Sequence, residues 1–129
     1  MTNKQKIEKE LSKLWKLCCY KMWGDNCIFC GRNDQTTYHH YIPKSRSKLL
    51  QYDPLNGVPM CNMREHAKIH HFGTPDEVMR LCEEVRTKRG KEWCNYIDLH
   101  KMADNRSLNT ITWLTAQLNK LKEYLSDEL

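Results

Sequence analysis

The chain has 129 residues, 40% of them hydrophobic and 29% charged, and carries a formal net charge of +5. That length supports one domain, or a small core with helical extensions, and only a modest apolar interior. No apolar run is long enough to span a bilayer and the lysine-rich start lacks the apolar segment of a signal peptide, so no membrane partner and a cytoplasmic location are expected. Seven cysteines, an odd number, read in a reducing compartment as thiols or metal ligands before disulfides. The positive charge suits a polyanionic partner without requiring one.

Residues from Asn3 to Trp23 read as an amphipathic helix, with Ile7, Leu11, Leu14 and Cys18 as its apolar stripe and lysines on the other faces. Gly24-Asp25-Asn26 stops it. Thr36 to Ile42 is β-branched and aromatic and reads as a strand. Pro43 to Gly57 reads as a loop, punctuated by Asp53-Pro54 and Asn56-Gly57. Val58 to Met60 fits a short return strand, which Pro59 would confine to an edge. A helix to about Phe72 carries His66 and His70.

Thr74-Pro75-Asp76-Glu77 opens the next helix with a capping box and a first-turn proline, and Gly90 closes it. A shorter helical piece covers about Glu92 to Met102, followed by the polar break Asp104-Asn105-Arg106-Ser107. The last helix, about Asn109 to Leu125, repeats Ile111, Leu114, Leu118, Leu121 and Leu125 in steps of three and four. That seam can pack on the first helix within one chain or build a homodimer through the outer helices. The class is α+β: a small ββα core at 25–73, flanked by an N-terminal helix at 1–24 and a helical extension at 74–129.

Two histidine pairs carry the chemistry. His66 and His70 stand four residues apart on one helix face, with Cβ atoms roughly 5–6 Å apart, and can hold one metal ion. His39 and His40 are adjacent in a strand and point to opposite faces. They cannot both be plain ligands of that ion, so one is free to act as a general base. Cys27-x-x-Cys30-Gly31 is a half-site for zinc, in which a tight turn brings two thiolates to one ion.

His-His-x-x-Pro, then Asn56, then His-x-x-x-His resembles the HNH (ββα-metal) nucleases, and the histidine layout is like that of the bacterial colicin DNases. Cys27-Ile28-Phe29-Cys30-Gly31 and Asn56-Gly57-Val58-Pro59-Met60-Cys61 resemble the zinc-knuckle HNH proteins of phages. The likeness covers about Cys27 to Gly73. Cys-x-x-Cys, His-Tyr-Ile-Pro, Asp-x-x-Asn and the helical tail also look like the phage NinG/Rap recombination nucleases, though without their second cysteine pair.

The resemblance implies a metal-dependent endonuclease that cuts DNA phosphodiester bonds to 5′-phosphate and 3′-hydroxyl ends, in phage recombination or DNA processing. It makes His39, His66 and His70 the ligands of the catalytic ion, His40 the base that takes a proton from the attacking water, and Asn56 the residue that orients the base or its backbone. Imidazole ligands favour zinc, nickel, cobalt or manganese over magnesium. It also makes Cys61 the third ligand of a structural zinc beside Cys27 and Cys30. Family members place the fourth ligand immediately before the first helix histidine. That position is Glu65 here, one residue further from Cys61 than usual. Glu65, His66 or a distant cysteine (Cys18, Cys19 or Cys94) are the open choices.

Pro43 to Leu50 carries Lys44, Arg46 and Lys48 and no acid, and beside a nuclease site it would contact DNA phosphates. Lys4, Lys6, Lys9, Lys13 and Lys16 of the first helix would extend that footprint or, as lysines on an exposed helix face usually do, serve only solubility. Three readings follow from different classes: the endonuclease, a catalytically silent zinc-stabilised DNA-binding module, and an interaction protein whose outer helices dimerise or dock a partner. Replacing His40 separates the first from the other two, because only the first needs a base.

Overall fold

In the computed structural model, described over residues 1–33, 36–61, 74–106 and 108–127, the fold grows outward from a two-stranded sheet. Helix α1 (Asn3–Trp23) precedes β1 (Thr36–His40), and the short α2 (Lys48–Gln51) and a 3₁₀ turn (Pro54–Asn56) lead into β2 (Gly57–Cys61). Helices α3 (Pro75–Arg89), α4 (Lys91–His100) and α5 (Ile111–Ser126) complete the order. The class is α+β, as expected. Among the described residues no helix is long and apolar enough to cross a membrane.

The caps fall where the sequence placed them. Thr74 accepts from the Glu77 amide while Glu77 returns the bond, with Pro75 in the first turn of α3. Gly90 ends α3 at φ +93°, a conformation that costs a residue with a Cβ. At the other end of the chain, Thr2 and Gln5 form a second capping box at the start of α1.

Two apolar clusters result. Leu11, Trp15, Cys18 and Cys19 of α1 pack with Leu114, Leu118 and Leu121 of α5, Tyr38 of β1 and Tyr52. Leu114, Leu118 and Leu121 of the α5 seam are thus buried within the chain, with Leu125 packed against them, while Ile111 at its start is exposed. Leu50, Val58, Met60, Val85, Trp93 and Ile97 form the second cluster, and Trp23 packs against both. Each fully buried aliphatic side chain here contributes about 1.5–3 kcal/mol of transfer free energy.

The strands are antiparallel, with Thr36 opposite Cys61, Tyr38 opposite Pro59 and His40 opposite Gly57. Pro59 is tolerated because a two-stranded sheet has only edges. Gly57 is there for space: a Cβ would collide with the Cys19 Sγ.

Two expectations change in detail. The strand expected to reach Ile42 ends at His40, because the Asn56 side chain takes over the bonds a partner strand would make: its Oδ1 accepts from the Ile42 amide and its Nδ2 donates to the Ile42 carbonyl. The expected loop from Pro43 to Gly57 contains a helical turn and a 3₁₀ turn. Ser47 caps the first through a bond from the Leu50 amide, and Asp53 caps the second through one from Leu55. Ser and Asp-Pro serve turns and helix starts by the same side-chain-to-amide bond, so the sequence signal is shared.

Candidate functional site

Cys27, Cys30 and Cys61 converge, with their sulfurs all within 4.8 Å of one another. The knuckle that carries the first two closes through the Gly31 amide, which donates to the Cys27 carbonyl at 2.9 Å, and Gly31 turns at φ +77°. The Ile28 amide donates to the Pro59 carbonyl at 2.9 Å and so ties the knuckle to β2, whose last residue is Cys61. The Phe29 amide donates to the Cys27 Sγ at 3.4 Å.

Burial pushes the Cys27 thiol up, but bonds from the Cys30, Cys61 and Phe29 amides and from the Cys30 thiol outweigh it, and the net direction is down. That favours a thiolate, the form that binds metal. Two thiolates bound at about 2.3 Å to one tetrahedral ion stand roughly 3.8 Å apart. The Cys30 and Cys61 sulfurs stand 3.8 Å apart. The three residues could hold a metal ion.

Among the described residues no fourth donor joins them. Of the distant cysteines, Cys18 points its Sγ at the Leu121 carbonyl, Cys19 at that of Pro54 and Cys94 at that of Arg86. Burial pushes the Cys18 thiol up to about 11 and the Cys19 thiol further still, which suits packed thiols. Glu65, His66 and His70 lie outside the described residues, as does the helix expected to carry them.

His39 and His40 occupy opposite faces of β1, as strand alternation requires. His39 is half-buried, with its Nε2 3.0 Å from the Thr37 hydroxyl on the same face. His40 lies flat against Trp15 of α1, ring centroids 4.0 Å apart and planes 3° apart. Its Nε2 is 2.8 Å from the Gln51 carbonyl oxygen. A carbonyl only accepts, so Nε2 carries the proton and Nδ1 is the basic nitrogen of the neutral ring. Burial foremost lowers the His40 pKa, with the charges of Lys44 and Lys16 acting the same way and the Gln51 bond opposing. The ring is neutral at pH 7.

Asn56 is fully buried and acts on the backbone around His40. Besides its two bonds to Ile42 it donates to the Leu50 carbonyl at 3.2 Å, and its own carbonyl accepts from the Tyr41 amide. It therefore fixes both the residues that follow His40 and the α2 turn that supplies the Gln51 carbonyl. Arg89 of α3 extends this framework. Its Nη2 donates to the Gly57 carbonyl at 2.9 Å while its guanidinium lies 3.5 Å from the Trp23 ring centre and 5.2 Å from that of Trp93. Burial draws its pKa down to about 10, so it is charged at pH 7.

Lys44 and Arg46 are exposed and Lys48 is half-buried. Lys44 lines a cleft of about 240 Å³ whose wall includes His40. Asn105, from the polar break after α4, pins the loop: its Oδ1 accepts from the Lys48 amide at 2.9 Å and its Nδ2 donates to the Arg46 carbonyl at 3.3 Å. Sequence reasoning missed three contributors. Trp15 reads as an ordinary core residue, Gln51 acts through its main chain and so leaves no side-chain signal, and Asn105 sits in a stretch that reads as a break. No family model, curated protein or solved structure matches the chain.

Proposed function

We propose that the protein is a metal-dependent HNH endonuclease that hydrolyses DNA phosphodiester bonds, leaving 5′-phosphate and 3′-hydroxyl ends, with a role in phage DNA recombination or processing. The observation that carries this reading is the mounting of His40: stacked on Trp15, tied through Nε2 to the Gln51 carbonyl, and set in a cleft with lysines. A buried framework that fixes one ring nitrogen and leaves the other basic suits a general base.

Under this reading a water gives a proton to His40 Nδ1 as its oxygen bonds to phosphorus. The bond to the 3′-oxygen breaks, and that oxygen leaves with a proton drawn from solvent. Asn56 and Gln51 hold the base in place, and Lys44, Arg46 and Lys48 bind phosphates of the DNA. A divalent ion (zinc, nickel, manganese or magnesium) held by His39, His66 and His70 would supply neutralisation of the charge that builds on the phosphate. Zinc suits the thiol set of Cys27, Cys30 and Cys61 best, with Glu65 the fourth donor under this reading.

The test is cleavage of duplex and branched DNA by metal-stripped protein refilled separately with magnesium, manganese, nickel and zinc. Cleavage with at least one ion is expected, and preference for the branched substrate would support the recombination role. DNA binding without cleavage under every ion would leave a silent binding module in place of the enzyme.

A further inference from the structure

The lysines of α1 are not equivalent. Trp15 fixes which face of α1 meets the site, since its ring stacks on His40 and its Nε1 donates to the Asp53 carbonyl at 2.9 Å. Residues four apart share a helix face, and Ser12 and Lys16 flank Trp15 on the cleft side. Both line the cleft beside His40, together with Lys44 from the loop after β1. Lys4, Lys6, Lys9 and Lys13 do not.

Among the described residues no aspartate or glutamate lines this cleft. Neither Lys16 nor Lys44 forms an ion pair with a described residue. Other cations of the helical layer are committed: Lys122 pairs with Glu10 at 3.5 Å, and Lys21 donates to the Asp127 carbonyl at 2.7 Å. Two ammonium groups that pair with no described residue, and a hydroxyl, surround about 240 Å³, a set whose chemistry suits a tetrahedral oxyanion. Lysine binds such a group as a point charge from any direction, without the planar match that arginine needs.

We propose that α1 is the second wall of the active site: Lys16 and Ser12 bind a DNA phosphate that Lys44 binds from the loop, so that the phosphodiester backbone is held between the two elements next to His40. This rests on the nuclease reading for the identity of the anion as DNA. It gives the first helix a part in substrate binding and singles out Lys16, where the sequence offers five lysines alike. Lys16 is a phosphate-binding residue, and Trp15 is the positioning residue that brings it to the site.

The experiment is fluorescence anisotropy of labelled DNA duplex with the full chain across roughly 50–200 mM salt, for wild type, Lys16→Ala, Lys16→Arg and Lys122→Ala. Loss of one phosphate contact flattens the slope of log K against log salt by about 0.9 for duplex DNA. We expect that change and a severalfold weaker affinity in Lys16→Ala, near-wild-type behaviour in Lys16→Arg, and none of it in Lys122→Ala. A Lys16→Ala slope equal to wild type, or a loss no larger than that of Lys122→Ala, overturns the proposal. Tighter binding of RNA than of DNA of the same sequence also overturns it. The readout is independent of turnover: the expected slope change in a protein that cuts nothing keeps the phosphate site and removes the nuclease, and unchanged slopes in an active enzyme do the reverse.

Discussion

The His40 imidazole and the Trp15 indole lie face to face, with centroids 4.0 Å apart and planes 3° from parallel, so one α1 side chain both builds the core and sets the attitude of the candidate base. Trp15 is 2% exposed. Trp15→Ala is expected to cost about 3–5 kcal/mol. Trp15→Phe keeps the stack and loses the Nε1 bond to the Asp53 carbonyl, a cost of about 1–2 kcal/mol. Urea unfolding of the two variants checks both figures. A cost below about 1 kcal/mol for the alanine would mean that the ring is not packed as described.

Asn56 makes three side-chain hydrogen bonds from a fully buried position, to the Ile42 amide and to the Ile42 and Leu50 carbonyls. Asn56→Ala strands these groups and is expected to cost about 3 kcal/mol. Asn56→Asp is expected to be at least as damaging, since it keeps the acceptor and sets a carboxylate against two carbonyl oxygens. Chemical denaturation gives the energies. Faster hydrogen exchange at the Ile42 amide in either variant would identify the bond that was lost.

The three thiols predict one tightly held metal ion per chain. Cobalt substitution should give the charge-transfer absorption of thiolate ligation, and Cys30→Ala should abolish it. Cys82→Ala should leave it intact, because that half-buried thiol belongs to α3 and not to the cluster. Chelation is expected to lower the melting temperature, since a structural site contributes its binding energy to folding. An unchanged melting temperature after complete metal removal would contradict the role.

Arg86 and Asp98 join α3 to α4 through a two-pronged ion pair, at 3.0 and 2.6 Å. The Arg86 guanidinium holds the Asp98 carboxyl down to about 2, against an ordinary 3.8. A depressed pKa contributes stability that is fully present above 3.8 and is lost as pH falls through about 2. Both side chains are about a third or more exposed, 33% and 39%, so solvent screening limits the contribution to about 0.5–1 kcal/mol. Asp98→Asn should therefore be less stable than wild type at pH 7, with the gap closing near pH 2. A gap that persists at that pH would assign the loss to packing.

Much of this was legible because local chemistry decided it. The caps at Thr74 and Gly90, the α5 seam and the Cys27–Cys30 turn rest on short-range patterns that tertiary contacts did not override. The opposed faces of His39 and His40 follow from strand alternation alone. The sequence could not show that Asn56 would end β1 by replacing its strand partner, because that bond joins residues 14 apart. Nor could it show that Asn105, 57 residues away, would hold the basic loop through the Lys48 amide. Lys16 looked like its four neighbours, and only the docking of Trp15 on His40 separates it from them.

The most direct test of the central claim is plasmid cleavage by wild type and by folded His40→Ala, compared at matched metal and salt. The variant keeps the cysteine cluster, the Asn56 clamp and the lysines, and loses only the ring whose Nδ1 is assigned the proton. Wild-type nicking with a drop of about 10²–10⁴ in the variant, the usual worth of a general base, is the predicted result. Equal cleavage by the two proteins would contradict it.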